Sequence, residues 1–182
     1  MRLYRQTLED FGLYAGLELT EEEFAKLTEA AGQMSAKMRA VRIISASGVT
    51  KKELEHRLIQ KGEDPVQAKE AVSWLSEMDL IDDKKTALQI VERCIGKGYG
   101  LARAKQALYE KRVPKHLWEE ALADYPTQDD YILSYLENHP EILEDRKARD
   151  RVINALLRRG HTYSEIRRGM EALSLHTEEF DG

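Results

Sequence analysis

Three stretches of this sequence align without a gap. They are LEHRLIQKGEDPVQAKEAVSWL from Leu54, AKQALYEKRVPKHLWEEALADY from Ala104 and VINALLRRGHTYSEIRRGMEAL from Val152, at offsets of 50 and 48 residues. Apolar residues coincide at Leu58, Leu108 and Leu156, and again at Ala68, Trp118 and Ile166. They coincide twice more, at Val72, Leu122 and Met170 and at Leu75, Tyr125 and Leu173. One column is small throughout (Ala71, Ala121, Gly169) and another is basic throughout (Lys61, Lys111, Arg159). A tandem repeat constrains the fold strongly, because each unit buries its apolar face partly on its neighbours.

Within each copy the second half places apolar residues at i, i+3, i+4 and i+7, the one-face pattern of an amphipathic helix. The first half places them at i and i+4, as in Leu54 and Leu58. The junction carries stop and start signals. Gly62 and Gly160 suit the left-handed end of a helix. Asp64-Pro65 reads as an N-cap and first helical residue, and Thr162-x-x-Glu165 as a capping box. Each copy is therefore helix, short turn, helix. A further helical stretch precedes each pair, giving a three-helix unit.

The chain has 182 residues, enough to bury a core as one domain or as several small ones. Charged residues make up 34% and apolar residues 42%, the composition of a globular chain. No run reaches the roughly 18 apolar residues of a membrane span. The opening MRLYRQTLEDFGLY lacks the apolar core of a signal peptide. Cys94 is the one cysteine, which excludes an internal disulfide and suits a reducing cytoplasm.

The net charge of −5 conceals an alternation. Residues 93–116 hold seven Lys/Arg against one Asp/Glu, and residues 146–168 hold eight against two. Residues 117–145 between them hold nine Asp/Glu and no Lys/Arg. Hairpins are basic and the joining segments acidic, so stacked units would carry a basic and an acidic stripe.

In order, residues 1–33 read as a lead-in and helix, with residues 1–19 as short strands around Gly12 or irregular chain. Thr20-x-x-Glu23 is a capping box, Leu19 can staple onto Phe24, and Gly32 is a candidate break. Residues 34–80 read as the first three-helix repeat, 81–125 as the second and 126–175 as the third. Residues 176–182 form an acidic, frayed tail. The fold class is all-α: tandem three-helix repeats in an elongated, curved array.

Chemistry-bearing motifs are few. Gly96-Lys97-Gly98-Tyr99-Gly100 resembles a phosphate loop but follows a helix and lacks the Gly-Lys-Ser/Thr ending. The histidines (His56, His116, His139, His161, His176) show no i, i+4 pair, so no metal site is expected. Cys94 lies on the apolar face of a helix and reads as a core thiol. Asp82 and Asp83 are accounted for by capping and the helix dipole. No catalytic constellation and no cofactor site emerges. The candidate partner-binding residues are the basic set Lys61, Lys97, Arg103, Lys105, Lys111, Arg112, Arg158, Arg159, Arg167 and Arg168. Tyr99, Tyr109 and Tyr163 lie near them and could stack on bases.

Several pieces together carry a resemblance: Leu58-x-x-Lys61-Gly62; Leu80-Ile81-Asp82-Asp83 with Ala87; Gly96-Lys97-Gly98 followed by Leu108-x-x-Lys111; and the lead-in Gly16 to Glu22. Their order and spacing resemble RecX, the family of bacterial regulators of the recombinase RecA, over about residues 13–174. The resemblance implies an elongated, curved chain of three-helix units that binds the RecA–DNA filament. It further implies inhibition of ATP hydrolysis, strand exchange and coprotease activity, with no enzyme activity of its own. Arg112 departs from the family, which often has Gly there. The net charge of −5 is also less basic than usual, which weakens direct contact with single- or double-stranded DNA. A monomer is expected, since no heptad seam is evident. Two other functions stay open: a DNA-binding protein of helix-turn-helix type, and a helical scaffold for another acidic protein.

Overall fold

The computed structural model describes residues 3–143 and 145–180, with side chains described as far as Ser174. The acidic side chains expected in the tail lie outside the described residues. Among the described residues ten α-helices follow in order: α1 (Arg5–Asp10), α2 (Glu21–Ala46), α3 (Lys51–Gln60), α4 (Pro65–Glu77), α5 (Asp83–Gly96), α6 (Leu101–Glu110), α7 (Trp118–Leu122), α8 (Asp129–Glu137), α9 (Arg146–Arg158) and α10 (Tyr163–Phe180). Short 3₁₀ turns occupy Lys115–Leu117 and Pro140–Ile142, and no strand occurs among the described residues. The fold class is all-α. The chain divides into two compact units, Met1–Thr86 and Ala87–Gly182.

In the first unit, Thr20 and Glu23 form the reciprocal capping box that starts α2. Thr20 hydrogen bonds hold the Glu23 carboxyl below its ordinary value. α2 then runs unbroken for 26 residues. Gly32 does not interrupt it. A Cβ at Gly32 would collide with the Gln67 side chain on α4, so the glycine permits a close approach between helices. The buried face of α2 uses Ala36 and Ala40, while Met38 is 41% exposed. These alanines pack with Leu54, Leu58, Ala68, Ala71, Leu75 and Ile81. Phe24 is 54% exposed, so the expected staple with Leu19 leaves the ring on solvent.

The lead-in is not a hairpin. Residues 5–10 are helical, supported by the Arg5–Glu9 ion pair and the Gln6–Asp10 hydrogen bond at i, i+4. Gly12 takes a left-handed φ of 56°, and Leu13 N–H returns to the Leu8 carbonyl at 3.0 Å. Gly12 therefore ends a helix rather than turning a strand.

Asp82 and Asp83 divide their work. Asp82 accepts from Lys84 and Lys85 N–H and caps α5. The Asp83 carboxylate accepts the Lys51 N–H at 2.7 Å, satisfying an open donor at the start of α3.

In the second unit, α5, α6 and α7 enclose Ala87, Ile90, Val91, Cys94, Ala104, Leu108 and Val113. A separate cluster joins α8 to α10 through Ile132, Leu136, Val152, Leu156, Ile166 and Leu173. The small column has its reason here: a Cβ at Gly169 would meet Ile132 and Leu136 of α8. α10 continues past the expected end of the third repeat as far as Phe180, so the segment expected to fray begins as helix.

Candidate interaction surface

The three hairpins turn by one device. After α3, α6 and α9 a residue takes a left-handed φ: Gly62 at 88°, Arg112 at 54° and Gly160 at 90°. The next residue sends its N–H back five residues along the chain, Glu63 to Leu58, Val113 to Leu108 and His161 to Leu156, at 3.1, 3.0 and 3.2 Å. This is the Schellman stop, which satisfies end carbonyls of the helix. It also turns the side chains of Glu63, Val113 and His161 inward, and all three are buried. The basic column, Lys61, Lys111 and Arg159, is therefore fixed as the residue just before each turn.

The environments of that column differ. Lys61 is exposed, and its carbonyl accepts from Arg39 at 3.3 Å. Arg39 also pairs with the buried Glu63 carboxylate, which accepts in addition from Ser35. Lys111 is half-buried. Arg159 is half-buried by aromatic rings: its guanidinium carbon lies 5.7 Å from the Tyr99 ring centre, 5.3 Å from Tyr131 and 5.8 Å from Tyr135. Such geometry is a cation–π contact, worth about 0.5–2 kcal/mol depending on desolvation.

The glycine loop supplies the floor beneath it. Gly98 is left-handed, and a Cβ there would strike the Tyr131 ring. Gly100 donates to the Arg159 carbonyl at 3.0 Å, and Arg159 in turn donates to the Lys97 carbonyl at 3.5 Å. His161 is 4% exposed, stacks on Tyr131 at 5.8 Å and donates through Nε2 to the Gly98 carbonyl at 3.0 Å. Burial pushes its pKa down, while the Gly98 bond opposes this. Its Nδ1 has no hydrogen-bond partner. The loop that looks phosphate-like thus seats a neighbouring helical turn.

Of the other expected residues, Arg103 pairs with Glu110, Arg167 with Glu171 and Arg168 with Asp129. Lys61, Lys97, Lys105, Arg112 and Arg158 are exposed and form no ion pair among the described residues. Tyr99 is half-buried under Arg159, whereas Tyr109 and Tyr163 project into solvent. The structure thus brings Lys97, Tyr99 and Arg159 together and adds Tyr131, Tyr135 and His161, which sequence reasoning did not select. Tyr131 and Tyr135 stand four apart on α8, a spacing that places two rings on one helix face.

No group of three or more His, Cys, Asp or Glu able to hold a metal occurs among the described residues. Cys94 is buried, and desolvation pushes its thiol pKa up, which disfavours the nucleophilic thiolate. A hollow of about 390 Å³ in the first unit, lined by Thr28, Gly32, Ser35, Glu63 and Gln67, holds a carboxylate already committed to Arg39. Among the described residues no helix is long and apolar enough to cross a membrane.

No family model matches the chain. Individual proteins do. The regulatory protein RecX of Vibrio parahaemolyticus is 28% identical over 137 residues, covering 73% of this chain and 88% of that protein. The regulatory protein RecX of Caldanaerobacter subterraneus is 29% identical over 166 residues, covering 90% and 82%. Among solved structures, a crystal structure of regulatory protein RecX superimposes with a TM-score of 0.70 at 21% identity, over 91% of this chain and 85% of that one. RecX from Lactobacillus salivarius gives 0.69 at 24% identity, over 80% and 99%.

Proposed function

We propose that this RecX-family chain is a non-enzymatic regulatory protein that binds a RecA–DNA filament and restrains its ATP hydrolysis, strand exchange and coprotease activity. The observation that carries the reading is the set of uncompensated cations at and around the hairpin ends: Lys61, Lys97, Lys105, Arg112 and Arg158, exposed and without ion pairs among the described residues. An exposed cation held near a fixed turn is available to an acidic partner at little desolvation cost. The likeness to proteins named regulatory protein RecX supports the same reading. Burial of the one thiol fits a structural rather than a nucleophilic role for it. In this proposal the protein works in the cytoplasm as a monomer, and DNA backbone adds at most a minor contact.

The test is ATP hydrolysis by RecA on single-stranded DNA, titrated with this protein well below one copy per recombinase subunit. Inhibition at such ratios is the expected result. An unchanged rate up to equimolar protein would sink the proposal. An effect that tracks DNA sites rather than recombinase would transfer it to direct DNA binding.

A further inference from the structure

The residue immediately after the buried leucine column is apolar in every copy and faces solvent in every copy. Leu58, Leu108 and Leu156 are fully buried, while the following Ile59, Tyr109 and Leu157 are 39%, 70% and 40% exposed. One helical step of about 100° turns each of these from core to surface. Single exposed apolar residues are ordinary. Recurrence at one register position, in each unit taken by itself, is not. Each stands beside cations without ion pairs among the described residues: Ile59 two residues before Lys61, Tyr109 four after Lys105 and three before Arg112, Leu157 next to Arg158.

We infer that Ile59, Tyr109 and Leu157 are docking knobs, one per helical repeat, for a protein surface bearing apolar pockets rimmed by carboxylates. Two features select a protein over a nucleic acid. Ile59 and Leu157 are aliphatic and offer no π face, whereas stacking on bases needs one. The net charge of −5 works against a polyanion but is compatible with local basic collars around apolar contacts. An apolar centre with a charged rim is also the usual anatomy of a protein interface. The inference rests on the proposed filament-binding role and deepens it: the knobs meet the protein subunits of the filament and not its DNA.

The experiment uses the whole chain and measures binding to preformed RecA filaments on single-stranded DNA and, separately, to bare single-stranded DNA. The variants are Tyr109→Ser, Tyr109→Leu, and the triple Ile59→Ser, Tyr109→Ser, Leu157→Ser, with thermal melting recorded for each. Tyr109→Ser is expected to weaken filament binding about tenfold, and the triple variant by roughly a hundredfold or more. Tyr109→Leu is expected to bind within about twofold of the parent, since an apolar pocket accepts either side chain. Bare-DNA affinity should not change in any variant. If the triple variant binds filaments as well as the parent, the knobs are not contacts. If Tyr109→Leu loses as much as Tyr109→Ser and bare-DNA affinity falls in parallel, the ring stacks on bases and the inference is overturned. If the triple variant fails to fold, the Tyr109 pair alone decides, at a site that is 70% exposed. A parent chain that ignores filaments overturns the proposed function and this inference together. A parent that binds while its knobless variants bind equally overturns only the inference.

Discussion

Gly100 donates its backbone N–H to the carbonyl of Arg159 at 3.0 Å, and a Cβ on Gly100 would collide with the carbonyl of Gly160. Backbone meets backbone at this point, so neither side can yield by rotating a side chain. Gly100→Ala is expected to destabilise the second unit by about 1–3 kcal/mol, the range for an overpacked interior. Urea unfolding checks this: the midpoint should fall while the first unit keeps its own transition.

Arg112 holds a left-handed φ of 54°, where the matching turns have Gly62 and Gly160. A left-handed residue with a Cβ costs roughly 1 kcal/mol or more. Arg112→Gly should therefore stabilise the second unit by about 1 kcal/mol, measured as a raised midpoint. The same substitution removes an exposed cation, so stability and filament affinity should move in opposite directions.

His161 makes stability depend on pH. Burial lowers its pKa below the ordinary 6.5 and outweighs the Gly98 bond. Arg159 nearby also lowers it and Glu165 opposes. A group with a depressed folded pKa holds fewer protons when folded than when unfolded. The stability associated with neutral His161 is thus complete above about pH 6.5 and is lost as pH falls through the folded pKa. Melting temperature should decline over that acid window in the parent and decline less in His161→Gln. Equal slopes in the two proteins would count against the assignment.

The basic set is expected to split into two behaviours. Reversing the exposed cations Lys61, Arg112 and Arg158 to Glu should weaken filament binding with little change in melting, since surface charges contribute little to stability. Arg159→Glu should lower stability by about 2 kcal/mol, because it trades a cation over three tyrosine rings for a carboxylate. Circular dichroism melts on the two variants separate these outcomes.

That split also marks how far the sequence was legible. Caps and stops were readable because they are local: Thr20 with Glu23, Asp64 before Pro65, and Gly62 and Gly160 after their helices all act within a few residues. The matched apolar columns located the cores, since Leu58, Leu108 and Leu156 are all fully buried. What failed depended on residues distant in the chain. Gly32 looked like a break because Gln67, the side chain occupying the space beside it, lies on another helix. Arg159 looked equivalent to Lys61 because Tyr131 and Tyr135 stand on a helix that the aligned copies do not include. Around Gly12 the sequence left short strands or irregular chain open, because a left-handed residue serves a strand turn and a helix end alike.

The separateness of the three apolar clusters bears on how the chain reaches its fold. One draws on residues from Ala36 to Ile81, the next from Ala87 to Tyr125, and the last from Tyr131 to Leu173. Every core is thus assembled from consecutive sequence, which makes the loops to be closed short and the relative contact order low. Such a chain can complete its first cluster while later residues are still being synthesised, and should refold in microseconds to milliseconds rather than seconds. A stopped-flow refolding trace with a dominant phase slower than about one second would contradict that expectation.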